Sequence, residues 1–134
     1  MGKSFFIGES FNHCINLDVY YTDRYIRPIL SIDGLRLASL EDIVAMKIDV
    51  ISRGGRKKDF WDIHELMKTY SLDYMLKLHE ERNPYKHNRQ EILESLIKFE
   101  QADNDFEPLC LKNKNWHLIK LDIIEIVKSS NKIF

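Results

Sequence analysis

The residues best equipped for chemistry lie between Leu37 and Tyr70, in the run LASLEDIVAMKIDVISRGGRKKDFWDIHELMKTY. On a helical wheel Lys47 falls in the middle of an apolar arc of Leu40, Ile43, Val44 and Ile51. Asp59 falls at the edge of a second apolar face, made by Phe60, Ile63, Leu66, Met67 and Tyr70. Two helices thus each turn one charge toward their own buried side. An unpaired ammonium in an apolar arc is costly because it loses its water. Lys47 therefore either pairs with Asp59, snorkels along its own stem, or stands in a cleft where it meets an anion such as a phosphate. Arg53, Arg56, Lys57 and Lys58 crowd the turn between the helices, as an extension of that anion site or as a solvated basic turn. Asp62 lies on a neighbouring part of the face that carries Asp59.

The elements that would position these groups are legible around them. Ser39 is a good N-cap, and Asp42 at the third helical position approximates a capping box. The first helix should run to about Arg53 and end at Gly54-Gly55. The second should run from near Lys57 to Tyr70, with Trp61 outside its main apolar arc and free for a second packing surface. Upstream, Ser4 to Ile7 suits a short strand and Gly8 to His13 a turn or loop. Cys14 to Tyr21 alternates as a strand, with Ile15, Leu17, Val19 and Tyr21 on one face and Asp18 on the other. Asp33-Gly34 between apolar residues predicts a tight hairpin.

Downstream, Ser71 caps a helix to about Arg82, and Asn88 caps another to about Ala102. Asp103 to Asn115 reads as a loop, and a last helix spans Trp116 to about Ser129 before a frayed tail. The fold class is α+β: two to five short N-terminal strands within residues 1–37, then about five helices within 38–134, all in one domain.

Bulk properties narrow the field. The chain has 134 residues, enough for one core, and a net charge of -1, so any anion site must be local. Cys14 and Cys110 have neither metal nor disulfide spacing and read as reduced thiols of a cytoplasmic protein. No apolar run reaches the roughly 18 residues of a membrane span. His64-Glu65 opens like a zinc helix, but Lys68 stands where the second histidine would be. The default for each of the five histidines is a surface or partly packed position.

The run LRLASLEDIVAMKIDVISRGGRKKDFWDIHELMKTYSLDYML resembles the AbiEii-type nucleotidyltransferase toxins, a bacterial family within the DNA polymerase β-like superfamily. The matching elements are LASLEDI, then MK, then R-G-x-x-K-D-F-x-D, then Y-S-L-x-x-M-L. SLIKFEQADNDFEPLCLKNKNWHLIK is similar to the family's closing segment. The resemblance implies nucleotide transfer from a nucleoside triphosphate, with tRNA the acceptor for some members, Mg²⁺ as cofactor, and an antitoxin protein as partner in toxin–antitoxin or phage-defence pairs. It implies that Asp18 matches the strand-borne third acidic residue, which holds metal. It further implies that Lys47, with Arg53 and Lys58, contacts the nucleotide, while Asp59 and Asp62 orient Lys47 or Arg53.

One departure stands out. The family's glycine turn followed by Asp-x-Asp is expected ahead of the Asp18 strand, and no residues there match it. The one Asp-x-Asp, Asp103-Asn104-Asp105, comes late and lacks the glycine turn. The chain thus resembles the C-terminal two-thirds of such an enzyme, inactive alone unless another segment supplies the paired carboxylates. Two other readings stay open. One is a non-enzymatic remnant that binds a protein or itself through an unpaired strand edge, as a homodimer for instance. The other is a generic α+β domain whose Lys47 and Asp59 are a plain ion pair.

Overall fold

The computed structural model describes residues 2–131 and is α+β. The first hairpin is β1 (Lys3–Ser10) with β2 (His13–Val19), and the second is β3 (Leu30–Ile32) with β4 (Leu35–Leu37). Both are antiparallel, and they form two separate two-stranded sheets. Helices α1 (Leu40–Ser52), α2 (Lys57–Leu66), α3 (Leu72–Arg82), α4 (Arg89–Leu96), the single turn α5 (Glu100–Asp103) and α6 (Trp116–Asn131) follow.

Local chemistry explains most boundaries. Asp33 and Gly34 both have positive φ, 51° and 77°, as a two-residue turn between twisted strands requires. Ser39, Ser71 and Asn88 each accept a backbone N–H from three residues on, at 3.1 to 3.2 Å, and so start α1, α3 and α4. Gly54, at φ 96°, ends α1 with its N–H donating to the Ile51 carbonyl.

Four boundaries differ from the sequence expectation, and one of them is the end of β2, at Val19 and not Tyr21. β1 continues through Gly8 to Ser10, with an irregularity in register, because Gly8 and Ser10 still pair with Cys14 and His13. Polar side chains do not interrupt a strand whose residues are all exposed. The second helix stops at Leu66, four residues short of Tyr70, in a tight turn where the Lys68 and Thr69 N–H groups donate to Glu65 and Leu66. The expected helix from Asn88 to Ala102 breaks after Leu96. Ile97 is exposed there, and Phe99 turns inward at the start of α5.

The core is helical. α1 packs on α2, α3 and α4, and α6 closes the bundle against the same three helices. Val44, Ala45, Ile48 and Ile51 are almost wholly buried on α1, facing Phe60 and Ile63 of α2, Met75 and Leu78 of α3, and Leu93 and Leu96 of α4. Trp61, outside the main arc of α2, does serve a second surface: it stacks on Trp116 at the start of α6. Phe60, Phe99 and Trp116 complete an aromatic knot with centroids 5.2 to 6.0 Å apart. α6 carries Ile119, Ile123 and Val127 inward, as its periodicity predicts, and continues through Ser129 to Asn131. The remainder of the tail expected to fray lies outside the described residues.

The polar connection between β2 and β3 is held to the helices by Asp42. Its carboxylate accepts the N–H groups of Ile26 and Arg27, at 2.8 and 3.1 Å, and the Ser39 hydroxyl at 2.8 Å. Asp42 therefore does not act as the returning half of a capping box. The incoming chain claims its oxygens, and the residue is completely buried.

Candidate functional site

Lys47 is not at the centre of the buried arc. Ala45 and Ile48 are both inaccessible, so the buried face of α1 is centred on their side, and Lys47 lies on its rim with a quarter of its side chain exposed. Leu40, counted in the expected arc, is half exposed. From that rim the Lys47 ammonium reaches α2 and sits 3.0 Å from Asp59 Oδ1 and 2.8 Å from Asp62 Oδ2. Burial alone would lower the Lys47 pKa. The hydrogen bonds to Asp62 and Asp59 outweigh it, and the net shift is upward.

The two carboxylates are not equivalent. Asp59 occupies the third position of α2, and its Oδ2 accepts the Arg56 N–H at 2.9 Å. One oxygen thus starts the helix while the other holds the lysine, and the side chain is 8% exposed. Asp62, one turn on, is 55% exposed and has Lys47 as its ion-pair partner. An ammonium aimed by a buried carboxylate and covered by an exposed one is a point charge that an incoming anion can recruit.

The basic turn divides the same way. Arg56 makes a two-nitrogen contact with Asp105, at 2.9 and 3.0 Å, and so anchors the loop after α5. Lys57 is buried, with its ammonium 5.4 Å from the Trp116 ring. Arg53 is two-thirds exposed and touches Asp49 on its own helix at 3.1 Å. Lys58 is exposed and has no ion pair among the described residues. Asp103 accepts the Trp116 indole N–H at 2.9 Å and the Lys120 ammonium at 2.8 Å. Both carboxylates of the late Asp-x-Asp are therefore taken up in loop anchoring.

Asp18 is elsewhere. It lies on the polar face of the first hairpin with Ser4 and Asn16, and accepts the Ser4 hydroxyl at 2.6 Å. No hydrogen bond or ion pair among the described residues joins it to Lys47. The structure brings Lys47, Asp59 and Asp62 together and leaves Asp18 on its own. Among the described residues no group of three or more His, Cys, Asp or Glu is arranged to hold a metal ion.

Two polar clusters escaped the sequence reading. Arg82 of α3, 4% exposed, lies 3.3 Å from Asp42. The same guanidinium donates to the Arg24 and Asp23 carbonyls and to the Thr22 hydroxyl. His79, expected at the surface or partly packed, is 1% exposed. Its Nε2 faces Asp49 Oδ1 at 3.2 Å, and its Nδ1 faces His87 Nδ1 at 2.9 Å. The signal for His79 was present: it follows Leu78 on the inward face of α3, four residues after Met75.

No helix of the described residues is long and apolar enough to cross a membrane. Comparison with curated proteins and with solved structures gives no significant match. The family model for the nucleotidyl transferase AbiEii toxin of type IV toxin–antitoxin systems matches residues 14–129. That span takes in nearly all of β2, the second hairpin, the Lys47 site and nearly all of α6, and the chain belongs to the AbiEii nucleotidyltransferase toxin family.

Proposed function

We propose that the chain binds the phosphates of a nucleoside triphosphate at Lys47, as part of a nucleotidyl transfer onto an RNA acceptor such as tRNA. The supporting observation is the unequal pair around the lysine. Asp59 is buried and fixed by its capping role, so it keeps the ammonium aimed. Asp62 is exposed and gives way when a phosphate arrives. Arg53 and Lys58, both exposed beside the same helix ends, extend the cationic surface along the phosphate chain.

Mg²⁺ is the metal this family's chemistry implies, and such transfers hold it between carboxylates. The residues present do not fit that role. Asp18 is a single carboxylate hydrogen-bonded to a serine, and the Asp-x-Asp pair is engaged with Arg56, Trp116 and Lys120. In this reading the chain binds nucleotide but does not complete transfer unless another segment supplies the paired carboxylates.

Isothermal titration with ATP, GTP, CTP and UTP, each with Mg²⁺, tests the proposal against Lys47→Ala. Saturable binding lost in the variant supports it. No binding to any nucleotide, or binding that Lys47→Ala leaves unchanged, overturns it.

A second reading has its own observation. Phe5, Ile7, Ile15, Leu17 and Val19 form one face of the first hairpin and are 45% to 72% exposed. Such a face suits a protein partner, either the antitoxin or a second copy of the chain. Sedimentation of the purified protein alone and with its genomic neighbour separates the two partners.

A further inference from the structure

Four of the chain's six tyrosines lie along two adjoining clefts that Lys47 does not line. One cleft, of about 460 Å³, lies where the chain leaves β2 and passes α1 and α3, and is edged by Tyr20 and Tyr21. The other, of about 730 Å³, lies between residues 23–26 and the end of α3, and is edged by Tyr25 and Tyr85. The clefts share Asp23, Arg82, Asn83 and Lys86, so they make one continuous surface.

The core does not claim these rings. Tyr21 and Tyr85 are 93% and 102% exposed, and Tyr20 is 59% exposed. Tyr25 is 42% exposed, and the Arg82 guanidinium stands 5.8 Å from its ring centroid, which steadies the ring while leaving much of it open. Cations stand among them. Arg24 is exposed and has no ion pair among the described residues. Arg53 and Lys86 both reach Asp49, at 3.1 Å each, yet their side chains are 67% and 54% exposed against 15% for Asp49. Two positive charges thus project past one carboxylate. Glu81 is paired with Arg27 at 2.7 Å, which leaves Asp23 as the lining carboxylate without an ion pair among the described residues.

Open aromatic rings that stack on bases, with cations beside them for the phosphates, are how proteins hold unpaired strands. A duplex keeps its base faces inside and cannot stack on such rings. We propose that this surface holds an unpaired stretch of RNA, its bases on Tyr20, Tyr21, Tyr25 and Tyr85 and its phosphates on Arg24, Arg53 and Lys86. The proposal rests on the reading that the acceptor is RNA. It lays that acceptor beside α1, the helix that also carries Lys47.

The test is fluorescence anisotropy of a labelled RNA of about 12 uridines titrated with the full chain, in the absence of any nucleotide. Binding should saturate, and log affinity should fall against log salt with a slope of about −2, for three phosphates. Tyr21→Ala and Tyr85→Ala should each weaken it by about fivefold or more, while Tyr21→Phe and Tyr85→Phe keep the stacking and the affinity. Both positions are exposed, so circular dichroism should report unchanged helices. Arg24→Ala should make the salt slope shallower by about 0.7. An RNA duplex of the same length should bind more weakly. No saturable binding overturns the proposal, and so does tighter binding of the duplex or of the same strand as DNA. Affinity that both alanine variants leave unchanged overturns it as well. The titration contains no triphosphate, so its failure is distinct from a failure of nucleotide binding at Lys47.

Discussion

Arg82 Nη1 stands 3.3 Å from Asp42 Oδ1, and the two side chains, 4% and 0% exposed, join the end of α3 to the first turn of α1. The pair does more than offset two charges. Five further hydrogen bonds run from it to the backbone and side chains of residues 22–27, in the connection between β2 and β3. Breaking a buried ion pair by removing one partner typically costs about 3–5 kcal/mol. Arg82→Met should therefore lower unfolding free energy by about that amount in urea titration. It should also make the segment near Arg24 markedly more sensitive to trypsin than in the parent protein.

The two carboxylates on Lys47 should separate cleanly in stability. Asp59→Ala removes a helix-start hydrogen bond and leaves a half-buried ammonium with one partner fewer. The expected loss is about 2–3 kcal/mol in chemical denaturation. Asp62→Ala removes an exposed partner and should cost less than about 1 kcal/mol.

The same pair should separate in the opposite sense for ligand. If Asp62 covers the lysine against phosphate, Asp62→Asn should tighten triphosphate binding several-fold at low salt. Asp59→Asn should weaken it, because the ammonium is no longer aimed. Calorimetric titration of both variants measures the difference, and equal effects would argue against the covering role.

Trp116 holds three things at once. It stacks on Trp61 with ring planes 8° apart, packs edge-on to Phe99, and donates its indole N–H to Asp103. Trp116→Ala should cost about 3–5 kcal/mol, the range for truncating a large buried aromatic. Trp116→Phe should recover most of the packing but not the hydrogen bond. Thermal melts of the two variants would show the split.

Acid should act on the Arg56–Asp105 anchor. The hydrogen bond from Arg56 holds the Asp105 carboxyl down at about 2. An unfolded aspartate titrates near ~3.9. A depressed folded-state pKa gives stability that is fully present above the unfolded value and is lost as pH falls toward the folded one. The gap in melting temperature between the parent and Asp105→Asn should hold from neutrality to about pH 5 and narrow on further acidification to about pH 2. A gap that stays constant through that window would mean that the anchor contributes through shape alone.

Elements specified by neighbouring residues were legible in the sequence. The Asp33-Gly34 turn, the three N-caps and the stop at Gly54 each need one or two local side chains, and each forms as expected. The pairing of Lys47 with Asp59, one of the alternatives that their spacing left open, also forms. The depth of Lys47 was misjudged. A wheel built on the large apolar residues overlooks Ala45, whose burial shows where the helix is pressed against its neighbours. Asp42 was assigned by its spacing from Ser39, yet its oxygens are claimed by residues 15, 16 and 40 positions away. The cluster around Arg82 and the partners of His79 were unreadable for the same reason: they come from elements that sequence spacing does not pair.

Both strands of the first hairpin are exposed along their length except at half-buried Cys14, and each has the other as its main neighbour. A two-stranded ribbon with so little buried surface opens at small free-energy cost. Its amide protons should exchange with deuterium in the fastest class, while those of Val44, Ile48 and Ile123 wait for global unfolding. The strand that carries Asp18 and the helices that carry Lys47 thus belong to different cooperative units. If one substrate engages both the Asp18 carboxylate and the Lys47 ammonium, it must also hold the ribbon in order, and the free energy of that ordering is subtracted from the affinity observed.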